Sequence, residues 1–273
     1  MGIKYGDEKN DIIFKKDIVV KLDPTVISIV NTEPLSDYFH RLAMGEIPNH
    51  SMIYKFGRNA VVGATEVLVA TGGFYGLPTV ARTVVATSSS GLDVPLGTGA
   101  RTLEIIGLNQ NLDEVSEVIP MGGTSVNLYL RVFRVTVITS GNPSPLVGAN
   151  QGTVSITQSI SGTVMIQIAP FDGQTKTACY TVPRGYIALM WTVDVTTGEG
   201  KNATSQLKSR NLNVVDAAFN VKGVRDNYQN STGKEFKIPI KYTEKTDIVF
   251  TSKSASAGTS VSATFLFELI KII

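Results

Sequence analysis

The chain has 273 residues, 42% of them hydrophobic and only 18% charged, with a formal net charge of +2. So even a balance argues against nucleic acid as a direct partner, because phosphate binding rests on clustered Lys and Arg. The single cysteine, Cys179, excludes an intramolecular disulfide, and no apolar run reaches the length of a membrane-spanning helix.

The amino terminus, Met1 to Lys9, is charged and lacks the apolar core of a signal peptide. Gly6 stands where a myristoylation signal needs Ser or Thr. The expectation is synthesis in a host cytoplasm, with Cys179 reduced and no membrane partner. Two apolar runs follow, Ile12-Ile13-Phe14 and Ile18-Val19-Val20, separated by Lys15-Lys16-Asp17. They read as short strands or as an arm lying on another surface. These six residues are the candidate self-association or docking site. Leu35, Phe39 and Leu42 then fall at i, i+4 and i+7, predicting a helix over 35–44 with Ser36 as N-cap and Gly45 as stop. A helix this short needs a surface to dock on. Residues 1–52 are assigned to an N-terminal arm with the helix. Residues 53–273 form a β-sandwich body of two sheets, or of two sub-modules dividing near 141–152.

From Val61 onward the pattern has period two. Leu103, Ile105 and Gly107 alternate against Thr102, Glu104 and Ile106; residues 109–114 read as a hairpin loop, and Val115, Glu117 and Ile119 return. Val126, Leu128, Leu130 and Val132 occupy even positions, whereas Val135 and Val137 occupy odd ones. A strand changes its inward face only through an extra residue or a bend, which predicts a bulge or a change of sheet near Phe133-Arg134. Ile187, Leu189, Trp191, Val193 and Val195 read as one inward face, with Trp191 as a core anchor in preference to a ligand-stacking platform. Pro239 pushes the strand of Phe236, Ile238 and Ile240 to a sheet edge. Val261, Ala263, Phe265, Phe267 and Leu269 make the closing strand. The fold class is all-β: an antiparallel β-sandwich, jelly-roll-like, with one short helix.

Chemistry is scarce along this chain. His40 and His50 lack Cys or carboxylate neighbours at ligand spacing, so no metal site is assigned. No Gly-x-Ser-x-Gly elbow accompanies them, and Gly97-Thr98-Gly99-Ala100-Arg101 lacks the Lys and helix of a phosphate loop. The serious alternative is a pair of carboxylates for glycoside cleavage, drawn from Glu104, Glu117, Asp113 and Glu114 around the hairpin. Solvated edge charges are the preferred reading of those four. Cys179 reads as a small buried side chain, and Lys201, Lys208 and Arg210 as an exposed strand face. No catalytic, cofactor-binding or metal residue is assigned.

Several short motifs recur in order: Lys55-Phe56-Gly57-Arg58-Asn59, the run Gly99 to Leu108, Ser116-Glu117-Val118, Gly123-Thr124-Ser125-Val126, Leu130-Arg131-Val132-Phe133-Arg134 and Tyr180-Thr181-Val182-Pro183-Arg184-Gly185. Together they resemble a family of virion structural proteins of tailed phages of aquatic bacteria and of some large algal viruses. The sequence departs from the pattern at two turn positions, Asn109 and Gly122. The resemblance implies a non-enzymatic component of a bacteriophage-like virus particle: a capsid decoration or cement protein, or a head-, neck- or tail-associated piece. Its partners are then further copies of itself, as a homo-oligomer such as a trimer, and other virion proteins such as the major capsid protein. The alternative is a receptor- or glycan-binding sandwich of a fibre or spike, less favoured with polysaccharide-cleaving activity. The family brings no catalytic residues.

Overall fold

The computed structural model describes residues 11–14, 18–21, 35–144 and 149–272. The chain forms two compact units, residues 1–44 and 45–273. In the first, strands β1 (Asp11–Phe14) and β2 (Ile18–Lys21) pair antiparallel, with Ile12 opposite Val20, Ile13 opposite Val19 and Phe14 opposite Ile18. The two apolar runs of the arm therefore pair with each other. Helix α1 spans Leu35–Ala43, so Ser36 lies inside the first turn instead of capping it. Gly45 ends the helix as expected. Its φ of 72° is left-handed, and the Met44 N–H reaches the His40 carbonyl at 3.0 Å.

The second unit is built from strands β3 (His50–Val62), β4 (Val67–Leu68), β5 (Val84–Ser88), β6 (Ala100–Leu108), β7 (Glu114–Pro120) and β8 (Arg131–Ser140). β9 (Val154–Gln158), β10 (Val164–Ile168), β11 (Cys179–Thr181), β12 (Tyr186–Thr197) and β13 (Asn202–Asn211) come next. β14 (Asn220–Gln229), β15 (Ser231–Tyr242), β16 (Thr246–Lys253) and β17 (Thr259–Lys271) complete it. The strand pairings are antiparallel. One sheet runs β15-β12-β17-β3, and facing it runs β11-β16-β13-β14 with β4 beside β16. The closing strand shows why they face each other. Val261, Ala263, Phe265, Phe267 and Leu269 are all buried; Phe265 meets Phe250 of β16 at 5.9 Å and Phe267 stacks on Tyr180 of β11 at 5.7 Å. Each large side chain so buried contributes about 1.5–3 kcal/mol.

Between β4 and β11 the chain builds two further three-stranded sheets, β7-β6-β8 and β10-β9-β5. The loop after β8 carries the chain from the first of these to the second. Isolated bridges Arg82–Tyr129, Val85–Thr124 and Thr136–Gln174 stitch them together, and one hydrophobic core runs through these sheets and the sandwich.

The face change expected near Phe133 is present. Ile106 pairs with Arg134 and Gly107 with Val132, leaving Phe133 as the extra residue of a bulge. Gly107 is required there, because a Cβ on it would lie 2.1 Å from the Arg131 carbonyl oxygen. Three expectations need correction. Val126 and Leu128 precede β8 in an exposed loop, and Tyr129 is the buried residue. Ile238 is exposed, because β15 carries three more residues than β12 between Glu235 and Ile240; Pro239 lies in that bulge, and β15 is an edge strand. The run through Trp191 does not share one face. Both neighbours of β12 change register between Met190 and Thr192, so Trp191 is a bulge residue. Ala188 and Met190 are buried before it, Val193 and Val195 after it. Trp191 is half-buried and donates its indole N–H to Glu268 at 3.0 Å.

Candidate interaction surface

The hairpin carboxylates do not converge. Ile105 pairs with Glu117 and Glu104 with Val118, so Glu104 and Glu117 project from opposite faces of the β6–β7 hairpin. Glu117 accepts the backbone N–H groups of Val126 (2.9 Å) and Asn127 (3.0 Å), fastening the loop after β7. Asp113 is held by the Arg184 guanidinium through two bonds of 2.8 and 2.9 Å. Glu114 is exposed at the start of β7. His40 lies exposed on α1, whereas His50 Nδ1 is 2.6 Å from Glu268 at the start of β3. Cys179 is fully buried, and burial pushes its thiol up to about 11.

Charged groups that composition could not rank sit inside the body. Asp247 on β16 is fully buried. It receives Arg131 Nε and Nη2 at 3.0 and 2.9 Å, the Thr181 hydroxyl at 2.6 Å and Arg210 Nε at 2.8 Å. Arg131, only 1% exposed, also donates to the carbonyls of Pro78 and Leu130, both at 2.8 Å. Arg210, expected on an exposed face, is instead bound to Asp247 and stacked 4.6 Å over the Phe219 ring. Lys208 pairs with Glu66 at 2.8 Å. These bonds join β8 to β11, β13 and β16, tying the inserted sheets to the sandwich.

Lys55 on β3 is buried and donates to the Phe133 carbonyl, at the bulge, at 2.5 Å. Burial, reinforced by the positive charge of Arg134, lowers its amine to about 7. In the unfolded chain a lysine titrates near ~10.4. Between these values the unfolded state binds the proton and the folded state does not, so stability rises with pH from about 7 to ~10.4 and is flat below. We expect Lys55→Met to flatten that slope in urea melts taken across the window. At pH 6, where the folded chain must hold the charged amine in its interior, it should stabilise the body, reduced by the cost of the unpaired carbonyl. An unchanged slope would show that Lys55 is protonated in the folded chain.

A second buried acid organises the loops at one end of the inserted sheets. Asp93 Oδ1 accepts the N–H of Ala100 (2.8 Å) and Gln151 (2.9 Å); Oδ2 accepts the Ser88 hydroxyl (2.6 Å) and the Gly152 N–H (2.8 Å). Burial pushes this carboxyl up, but the Ser88 hydroxyl and the three backbone donors outweigh it and hold it below its ordinary value. Asn150 adds bonds to the carbonyls of Gly152 and Ala169, and its own carbonyl accepts the Phe171 N–H. On loops fixed in this way, apolar side chains point outward: Leu92, Val94 and Leu96 (93% exposed), with Phe171 (57% exposed) on the loop after β10 and Ile138 near the end of β8. Rigid loops that expose large apolar groups are the usual makings of a protein-binding surface. In the sequence this Ser/Gly-rich stretch shows no alternation that would single it out.

The six arm residues lie on β1 and β2, paired as described above. Among the described residues no helix is long and apolar enough to cross a membrane, and no group of three His, Cys, Asp or Glu side chains is placed to hold a metal ion.

No family model and no curated protein matches the chain. Among solved structures it is similar to a chain of the infectious bursal disease virus Gt strain structure, at 9% identity over 86% of this chain and 83% of that one, with a TM-score of 0.20. It is also similar to the VP2 subviral particle of infectious bursal disease virus, at 10% identity over 87% and 82%, with a TM-score of 0.17. At these values the likenesses carry no weight for fold or function.

Proposed function

We propose that this chain is a non-enzymatic structural component of a virus particle, acting through self-association and docking on other virion proteins. The reading rests on the family pattern and on what its residues do. Lys55 reaches Phe133, Arg131 and Thr181 both reach Asp247, and Arg184 reaches Asp113. Gly57 permits a close approach, since a Cβ there would lie 2.1 Å from the Ala178 nitrogen. Residues from three separate motifs thus fasten β-sheets to one another. Internal fastening of this kind is in keeping with a structural role, with the surface and the arm left for contacts. The candidate contacts are the arm residues Ile12, Ile13, Phe14, Ile18, Val19 and Val20, and the loop residues Leu92, Val94 and Leu96.

Two-stranded hairpins are marginal by themselves, which favours an arm completed by another surface. Light scattering on the full chain is expected to give a homo-oligomer. Removing residues 1–30 should reduce it to monomer and abolish binding to particles. A truncated chain that assembles and binds like the full one removes the arm from the account.

A further inference from the structure

At the open side of the sandwich the two sheets end in edge strands β14 and β15, consecutive in the chain but in different sheets. A cleft of about 90 Å³ lies between them. Its floor is apolar, formed by Val193, Val195, Leu207, Phe236, Ile240 and Phe250. Its rim carries Lys222, Arg225 and Lys234, and Lys234 Nζ lies 5.2 Å over the Phe236 ring. No carboxylate lines it.

We propose that this cleft binds an anionic amphiphile with a single alkyl tail, a long-chain carboxylate, the tail on the apolar floor and the head among the three cations. The lining resembles that of small-molecule sites, which are mostly apolar with a few placed polar groups. The edges decide against an extended peptide as occupant. β14 changes register at Lys222 and again between Arg225 and Tyr228, leaving Gly223–Arg225 as its regular stretch beside the cleft. β15 bulges between Glu235 and Ile240, with Pro239 inside the bulge. Bulges and Pro at an edge stop strand addition. An alkyl chain needs no backbone ladder, and the cationic rim supplies the preference for a negative head.

The test is calorimetric titration of the full chain with octanoate, decanoate and dodecanoate below their micelle concentrations. Saturable one-site binding is expected, tightening about tenfold per two added carbons until the floor is filled. Dodecyl maltoside, with the same tail and a neutral head, should bind at least tenfold more weakly. The exposed-rim variant Lys222→Glu/Lys234→Glu should weaken dodecanoate at least tenfold with an unchanged circular dichroism spectrum. Photolabelling with a diazirine-tailed dodecanoate should mark peptides containing Val195, Leu207 or Phe236, a readout independent of any variant. Absence of saturable binding, equal affinity for the maltoside, or labelling elsewhere overturns the proposal. So does capture by anionic phospholipid vesicles without binding of free dodecanoate, which would make the rim a membrane contact.

Discussion

Asp247→Ala is expected to destabilise the body by about 3–5 kcal/mol, because it leaves Arg131 charged, buried and without its carboxylate. The loss should appear as a lower urea midpoint with an unchanged slope. Exposed pairs such as Arg184–Asp113 are worth only ~0–1 kcal/mol, so Arg184→Ala gives the scale for comparison. Replacing both buried partners, Arg131→Met with Asp247→Leu, should recover much of the loss, since the charge then left without its carboxylate is Arg210, which is partly exposed to solvent. If Asp247→Ala costs no more than Arg184→Ala, the network is not holding the inserted sheets to the sandwich. The pH dependence has a fixed sign. Burial pushes the Asp247 carboxyl up, while Arg131, Thr181 and Arg210 hold it below its ordinary value. Its contribution is therefore full above the unfolded value of ~3.9 and is lost as pH falls through the lower folded value.

Asp93→Ala should cost about 2–6 kcal/mol, taking ~1–3 for each of the two buried backbone donors it strands, those of Ala100 and Gly152. The damage should be local. Hydrogen exchange is expected to rise across 89–100 and 150–152, while β12 and β17 keep their protection. The same linkage makes the loops acid-sensitive. Wild-type protection there should fall as pH drops below ~3.9, and Asp93→Asn should show no such fall. Uniform loss of protection over the whole body would mean that Asp93 supports the fold at large and not this loop cluster. The loops present Leu92, Val94 and Leu96, so Asp93→Ala should weaken any partner that docks on them.

Local pattern made part of this fold legible. Alternation in β6 and β17 located inward faces, and the parity change between Leu130 and Val135 announced the bulge at Phe133. The same logic failed at Trp191. A bulge that swaps one apolar set (Ala188, Met190) for another (Val193, Val195) leaves odd positions apolar on both sides, and the parity never changes. The buried charges were out of reach for a different reason. Arg131 and Asp247 are 116 residues apart, and no spacing rule links them. The one usable signal was an acid, Asp247, opening the apolar run Ile248-Val249-Phe250, since an acid in such a place needs a cation. Asp93 sat in a Ser/Gly-rich stretch that reads as solvent-facing turn, and its partners are backbone groups, which carry no sequence signature. The hairpin carboxylates were placed correctly along the chain, but only the β6–β7 register shows Glu104 and Glu117 on opposite faces.

The central claim is that the chain belongs to a virus particle and works there as a scaffold. The most direct measurement is electron microscopy of purified particles labelled with an antibody to this protein. The account predicts label at fixed, repeated positions on intact particles, at the copy number of an oligomer. Particles that carry no label, with the protein remaining in the soluble fraction of the infected cell, would contradict it.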